Sequence, residues 1–185
     1  MATTMLGLLG VFLFIFTTNT QLQVSADFNI SKVEGKWYQT GVATNAKWFT
    51  DSKWMKKVSV AILTPTANGD VNMNGSVILT ENSKDTSCLR FNLFLKKTKT
   101  TGKFILYNTR FQTRNDLYVL DVKYDEYIIV QNRWNIKEGV VFINKLLTRT
   151  PVVNPLIKQK FMQISKSNKN TAEKIVILPM KGECV

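Results

Sequence analysis

Few side chains in this sequence could do chemistry. There is no histidine among the 185 residues, which removes the commonest general base, the commonest protein metal ligand and any His-ligated haem. Beyond methionine, sulfur chemistry rests on Cys88 and Cys184. In a secreted chain an even pair reads first as one disulfide, and a loop of that size is worth ~4–5 kcal/mol in the chain-entropy model. Cations are plentiful: 25 Lys and Arg against 13 Asp and Glu give a formal charge of +12. That balance suits anionic partners or a simply solvated basic surface. Trp48, Phe49, Trp54 and Met55 stand among Lys47, Lys53, Lys56 and Lys57 in an irregular stretch. Such a stretch suits a lid over a cavity or an Ω-loop packed on its own side chains.

The elements that position these residues begin with a leader. Met5 to Phe16 is an almost unbroken apolar run, of about 12 residues, too short to span a bilayer but suited to a signal-peptide core. Val24-Ser25-Ala26 has the small-x-small form of a cleavage site, so residues 1–26 read as a signal peptide and 27–185 as one domain. Cleavage near Thr18–Thr20 is the alternative. No later segment is apolar enough to span a membrane. Secretion makes two sequons meaningful, at Asn29 and Asn74, the second inside a strand-like segment.

From residue 30 onward the chain reads as strands. Ile30–Val33 is a turn leading into Gly35-Lys36-Trp37-Tyr38, and residues 36–43 form a first strand. Residues 58–63 and 71–80 flank an Asn68-Gly69 hairpin turn. Leu89-Arg90-Phe91-Asn92-Leu93 alternates cleanly, with Leu89, Phe91 and Leu93 on one face. Lys96 to Lys103 is a basic hairpin tip, and residues 104–107 follow it. Residues 117–122, 127–130 and 140–147 complete eight strands at roughly ten-residue spacing, the pattern of an antiparallel meander. One helix follows. Asn154 caps it, Pro155 takes its first position, and Leu156, Phe161 and Ile164 form its apolar stripe as far as Ser167. Residues 175–178 form a last short strand.

This order resembles the lipocalin family. The local matches are Gly35-x-Trp37-Tyr38, the turn Tyr124-Asp125-x-Tyr127, and Arg149 just after the last long strand. The tail Ile175-Val176-Ile177-Leu178-Pro179 with Cys184 is similar to the subgroup that holds the lipocalin-type prostaglandin D synthases and the siderophore-binding lipocalins. The resemblance implies an all-β fold: an eight-stranded antiparallel up-and-down β-barrel, the lipocalin calyx, with one C-terminal α-helix packed outside. It makes Trp37 and Arg149 the structural pair at the barrel floor, and Cys88–Cys184 the bridge from the fourth strand to the tail. The family's usual Thr-Asp-Tyr is Val122-Lys123-Tyr124 here, which puts the usual polar contacts at that turn in question.

A barrel of this size leaves room for one small ligand. Alternation, with the register run back from Arg149 as the family pattern suggests, gives the lining: Ser59, Ala61 and Leu63 from the second strand, Leu89, Phe91 and Leu93 from the fourth. The eighth contributes Val141, Ile143, Lys145 and Leu147, and Trp54 comes from the candidate lid. Lys145 becomes a cation inside the calyx, a partner for a ligand carboxylate, unless a one-residue slip reverses every facing.

The function expected is a secreted, extracellular carrier of a small hydrophobic molecule, anionic or neutral, such as a fatty acid, retinoid or odorant. It needs no catalytic residue, cofactor or metal. A monomer is expected, with a cell-surface receptor as a further candidate partner, and neither nucleic acid nor stable membrane insertion. The first alternative is a prostaglandin D synthase-like isomerase. Its nucleophile would align with Ser59, a far weaker nucleophile than a thiol without an adjacent base. The second is siderophore sequestration. The three cavity cations of those relatives align with Leu93, Trp134 and Ile143, although Arg90, Arg133 and Lys145 offer a different cluster.

Overall fold

The computed structural model describes residues 24–25, 27–46, 58–78, 87–108, 113–137, 139–167, 174–178 and 183–184. Its strands are β1 (Gly35–Thr44), β2 (Ser59–Pro65), β3 (Val71–Ile78), β4 (Cys88–Lys97), β5 (Lys103–Asn108), β6 (Thr113–Lys123), β7 (Tyr127–Ile136), β8 (Gly139–Thr148) and β9 (Lys174–Ile177). A 3₁₀ turn at Ile30–Val33 precedes them, and a helix, α1 (Pro155–Ser167), lies between β8 and β9. Neighbouring strands pair antiparallel in chain order, and a β1–β2 ladder joins the two ends. The result is a closed eight-stranded up-and-down barrel with α1 outside it, which leaves no barrel edge unpaired.

β1 holds three partners because it changes neighbours along its length. Gly35 to Gln39 pair with β2, Gly41 to Thr44 pair with β9, and a register shift between Gln39 and Gly41 on the β8 side marks the change. A bulge bends a strand locally. The disulfide Cys88–Cys184 then ties the start of β4 to the tail.

Several strands run further than apolar alternation predicts. β6 starts at Thr113 rather than Leu117, and β7 continues from Val130 to Ile136. The added residues are largely polar, yet their backbones stay in the ladder. Ladder pairing satisfies backbone groups whatever the side chain. The strand expected over 71–80 is described as far as Ile78, and its last two positions lie outside the described residues. So do the leader apart from Val24 and Ser25, and the lid stretch with Trp54. Ser25 donates its amide to the Val119 carbonyl at 3.0 Å.

The helix begins as expected, with the Asn154 side chain accepting the Leu156 amide at 2.8 Å. Its buried stripe is corrected, however. Leu156 is 73% exposed, whereas Phe161 is fully buried and Ile157 and Ile164 pack with it. Positions 157, 161 and 164 follow the i, i+4, i+7 spacing of one helical face, which Leu156 does not. The facing barrel wall contributes Ile129 and Leu146. Gly41 admits the Phe161 ring: a Cβ there would lie 3.1 Å from Phe161 Cε1. Beneath the helix, Gln131 donates to Asn144 at 2.9 Å and Asn144 to Ser165 at 3.3 Å. These buried polar groups are therefore matched to one another.

The barrel is closed at the Trp37 end. Trp37 has no exposed surface, and its indole N–H donates to the Val33 carbonyl at 2.7 Å. The Arg149 guanidinium lies over the ring, 3.7 Å from its centroid. It also donates to the carbonyls of Tyr124 at 3.0 Å and Lys36 at 3.1 Å. Gly35 makes this approach feasible, with φ +101° and an Arg149 nitrogen 3.2 Å from where a Cβ would stand. Despite the departures at Val122 and Lys123, Tyr124 keeps the turn tied to the floor: its hydroxyl accepts the Asn29 amide at 2.6 Å.

Replacing Arg149 with Met keeps most of the aliphatic stem and removes the guanidinium. The cation–π contact is worth about 0.5–2 kcal/mol, and the abandoned carbonyls add about 1–3 kcal/mol. Urea unfolding is expected to show a loss of about 2–4 kcal/mol. An unchanged midpoint would show that the contact does not hold the floor.

Candidate ligand-binding site

Inside the barrel lies a cavity of about 580 Å³, within the range of small-molecule pockets. Its wall is mostly apolar, because each strand turns alternate residues inward. β2 places Ser59, Ala61 and Leu63 on it, and β4 places Leu89, Phe91 and Leu93. β8 contributes Ile143, Lys145 and Leu147. The expected lining is thus brought together apart from two residues. Trp54 lies outside the described residues. Val141 shares the inward phase of β8 but is not on the cavity wall. It is 6% exposed and belongs to an apolar cluster with Val42, Ala46 and Val58, so protein fills the space assigned to ligand.

One glycine keeps the cavity open. Gly75 pairs with Ala61 on one side and Phe91 on the other. A Cβ at Gly75 would stand 2.4 Å from Phe91 Cζ. The Phe91 ring therefore occupies the place of the missing side chain, and any larger residue at 75 would displace it. The sequence drew attention to Gly75 only as the middle of a sequon.

Lys145 is the only charged side chain on the described wall. On either side in the sheet it pairs with Val130 of β7 and Val42 of β1. It is half-buried and lines the cavity. Burial without a compensating charge penalises the ammonium form, and it pushes the Lys145 pKa down to about 8. Other lysines show the opposite behaviour. Glu183 raises Lys36, Glu126 raises Lys123 and Asp121 raises Lys160, each through a side-chain hydrogen bond.

Of the polar wall residues that sequence reasoning missed, among them Gln39, Asn115 and Asn135, Asn132 is the most buried. It is 2% exposed and lines the cavity, and its Oδ1 has no hydrogen-bond partner among the described residues. It faces Ile143 across the β7–β8 ladder, one inward step from the Val130–Lys145 pair. Its strand hides the signal. Tyr127-Ile128-Ile129-Val130 is apolar throughout because one face lines the barrel and the other lies under α1, so no period of two is visible.

The other cations do not join Lys145. Arg90 is exposed between Leu89 and Phe91, both of which face inward. The Arg133 guanidinium lies over Tyr118 at 4.6 Å and Phe142 at 5.4 Å, and its Nε donates to Gln131. Its neighbours Asn132 and Trp134 line the cavity, which puts Arg133 on the outer face. The cluster of Arg90, Arg133 and Lys145 is therefore corrected: strand alternation sends the two arginines outward. Leu93, Trp134 and Ile143, aligned with the cations of siderophore-binding relatives, do line the cavity, and all are uncharged. Among the described residues no three of Cys, Asp and Glu converge as metal ligands.

Several known proteins are similar to this chain. The lipocalin of Rhinella marina is 30% identical over 162 residues, spanning 88% of this chain and 86% of its own. The prostaglandin-H2 D-isomerase of Ursus arctos is 29% identical over 188 residues, spanning 100% of this chain and 94% of its own. The solved structure of the siderocalin Ex-FABP, described as functioning through dual ligand specificities, superposes with a TM-score of 0.66 at 22% identity, covering 82% of this chain and 96% of its own. Residues 34–182 match the model of the lipocalin / cytosolic fatty-acid binding protein family. With the closed barrel, its calyx and the floor beneath it, that match establishes that the chain belongs to this family.

Proposed function

We propose that this protein is a secreted carrier that holds a small hydrophobic molecule with an anionic head, such as a fatty acid or retinoid acid, inside the calyx. The observation that carries the reading is an apolar cavity with one cation, Lys145, on its described wall. Burying a ligand's apolar surface contributes about 25 cal/mol per Å². A carboxylate beside Lys145 also gives the buried ammonium an anionic partner, which no side chain of the described wall supplies. Asn29 and Asn74 are both exposed, which suits glycan attachment in a secreted chain. The protein acts as a monomer, and a cell-surface receptor is a candidate partner for the loaded form.

The isomerase named among the relatives is the second reading. Ser59 lines the cavity at the position the resemblance gives to the nucleophile. The chain has two cysteines and both are spent in the Cys88–Cys184 bridge. A serine hydroxyl without an adjacent base is not activated for that chemistry, so binding is the better reading.

Two titrations test the role of Lys145. Dodecanoate binding, followed by tryptophan fluorescence, is expected to weaken about tenfold between pH 7 and pH 9, because the Lys145 ammonium of the ligand-free protein loses its proton near pH 8 and the neutral amine leaves the carboxylate unpaired. Lys145→Met should bind more weakly and show no such step. Flat affinity across that range in the native protein would contradict the reading.

Without ligand the sign reverses. The folded pKa lies below that of an unfolded lysine, so the unfolded chain binds more protons between the two values. Stability is therefore expected to rise from about pH 8 to about pH 10.4, by at most ~3 kcal/mol, and to stay level there in Lys145→Met. Urea unfolding along that pH series measures the difference.

A further inference from the structure

We infer that Lys145 is a covalent tether: its Nζ, on the apolar calyx wall with no acidic side chain on the described lining, condenses reversibly with the carbonyl of a hydrophobic aldehyde. The inference rests on the carrier reading and adds a ligand class that the same pocket would hold by a bond rather than by charge.

The setting separates Lys145 from the lysines of the outer surface. Lys36, Lys123 and Lys160 are each hydrogen-bonded to a carboxylate that keeps them protonated. Protonated amines are not nucleophiles. Lys145 instead meets Val42 and Val130 across its two ladders, and Ile143 and Leu147 lie beside it on the inward face of β8. Burial brings its pKa to about 8, against about 10.4 for an ordinary lysine, so near neutral pH its free-amine fraction is about two orders of magnitude larger. A desolvated lysine in an apolar pocket is a recognised route to an activated amine.

The chemistry closes without a further reagent. The amine lone pair attacks the aldehyde carbon, and an N–H proton passes to the carbonyl oxygen to give a carbinolamine. The C–O bond then breaks, water leaves and a C=N bond forms, with no net oxidation or reduction. Asn132 Oδ1, unpartnered among the described residues and one inward step along β7, offers an acceptor for the carbinolamine hydroxyl. Hydrolysis runs the same steps backwards and releases the cargo. The apolar surroundings slow that return by limiting water.

The test uses the native protein with dodecanal and sodium cyanoborohydride near pH 7.5, followed by peptide mapping by mass spectrometry. Dodecanoate binding is measured in parallel. The expected result is reductive alkylation at Lys145 exceeding that at any other lysine by roughly tenfold or more, suppressed when excess dodecanoate is present. Lys145→Arg and Lys145→Met should both lose the adduct, and near-UV circular dichroism checks that they fold. Dodecanoate binding together with alkylation spread evenly over surface lysines overturns the tether and leaves the carrier reading intact. Neither dodecanoate binding nor an adduct at Lys145 overturns both.

Discussion

The Arg149 guanidinium over the Trp37 indole joins three parts of the chain that are far apart in sequence. One side chain from the end of β8 covers a ring of β1 and donates to carbonyls of β1 and of the β6–β7 turn. The contact needs Gly35, whose positive φ and missing Cβ let the guanidinium approach. With that end filled, the apolar cluster around Trp37, Leu63, Phe104 and Leu147 has a floor to pack on. The space above it can then form a cavity. A barrel open at both ends would leave its lining in contact with water from two sides and would hold an apolar ligand less firmly.

Having a floor, the barrel can carry a charge that no acidic side chain of the described wall matches. On the outer surface some cations are matched with acids, as in Lys160 with Asp121 and Lys103 with Asp116. The interior does the reverse and sets Lys145 among valines and leucines. A buried charge without a partner costs stability, and such costs concentrate at sites with a use. Asn132 repeats the pattern with a buried oxygen that has no partner among the described residues. The two lie on neighbouring strands, so the least satisfied polar groups of the lining are also close to one another. Lys145 gains a partner when a ligand carboxylate arrives there, and Asn132 Oδ1, an acceptor, gains one from a ligand hydroxyl.

Much of this was legible in the sequence. Period-two alternation in β4 placed Leu89, Phe91 and Leu93 on one face, and the register counted back from Arg149 placed Lys145 on the inward side. Boundaries were less legible where ladder pairing carries polar residues, as in Thr113 to Asp116. The helix stripe was misread at Leu156 because its neighbour Ile157 is equally apolar and only packing distinguishes them. Asn132 escaped because β7 is buried on both faces. Val141 has the right phase but lies where other apolar side chains fill the barrel, and alternation reports facing, not free volume.

A crystal structure of the protein saturated with dodecanoate is the most direct measurement of whether the calyx is a ligand site. The account predicts the alkyl chain within the cavity, along Phe91 and Leu93, with its carboxylate in hydrogen-bond contact with Lys145 Nζ. Dodecanoate bound only on the outer surface, with nothing beside Lys145, would contradict it.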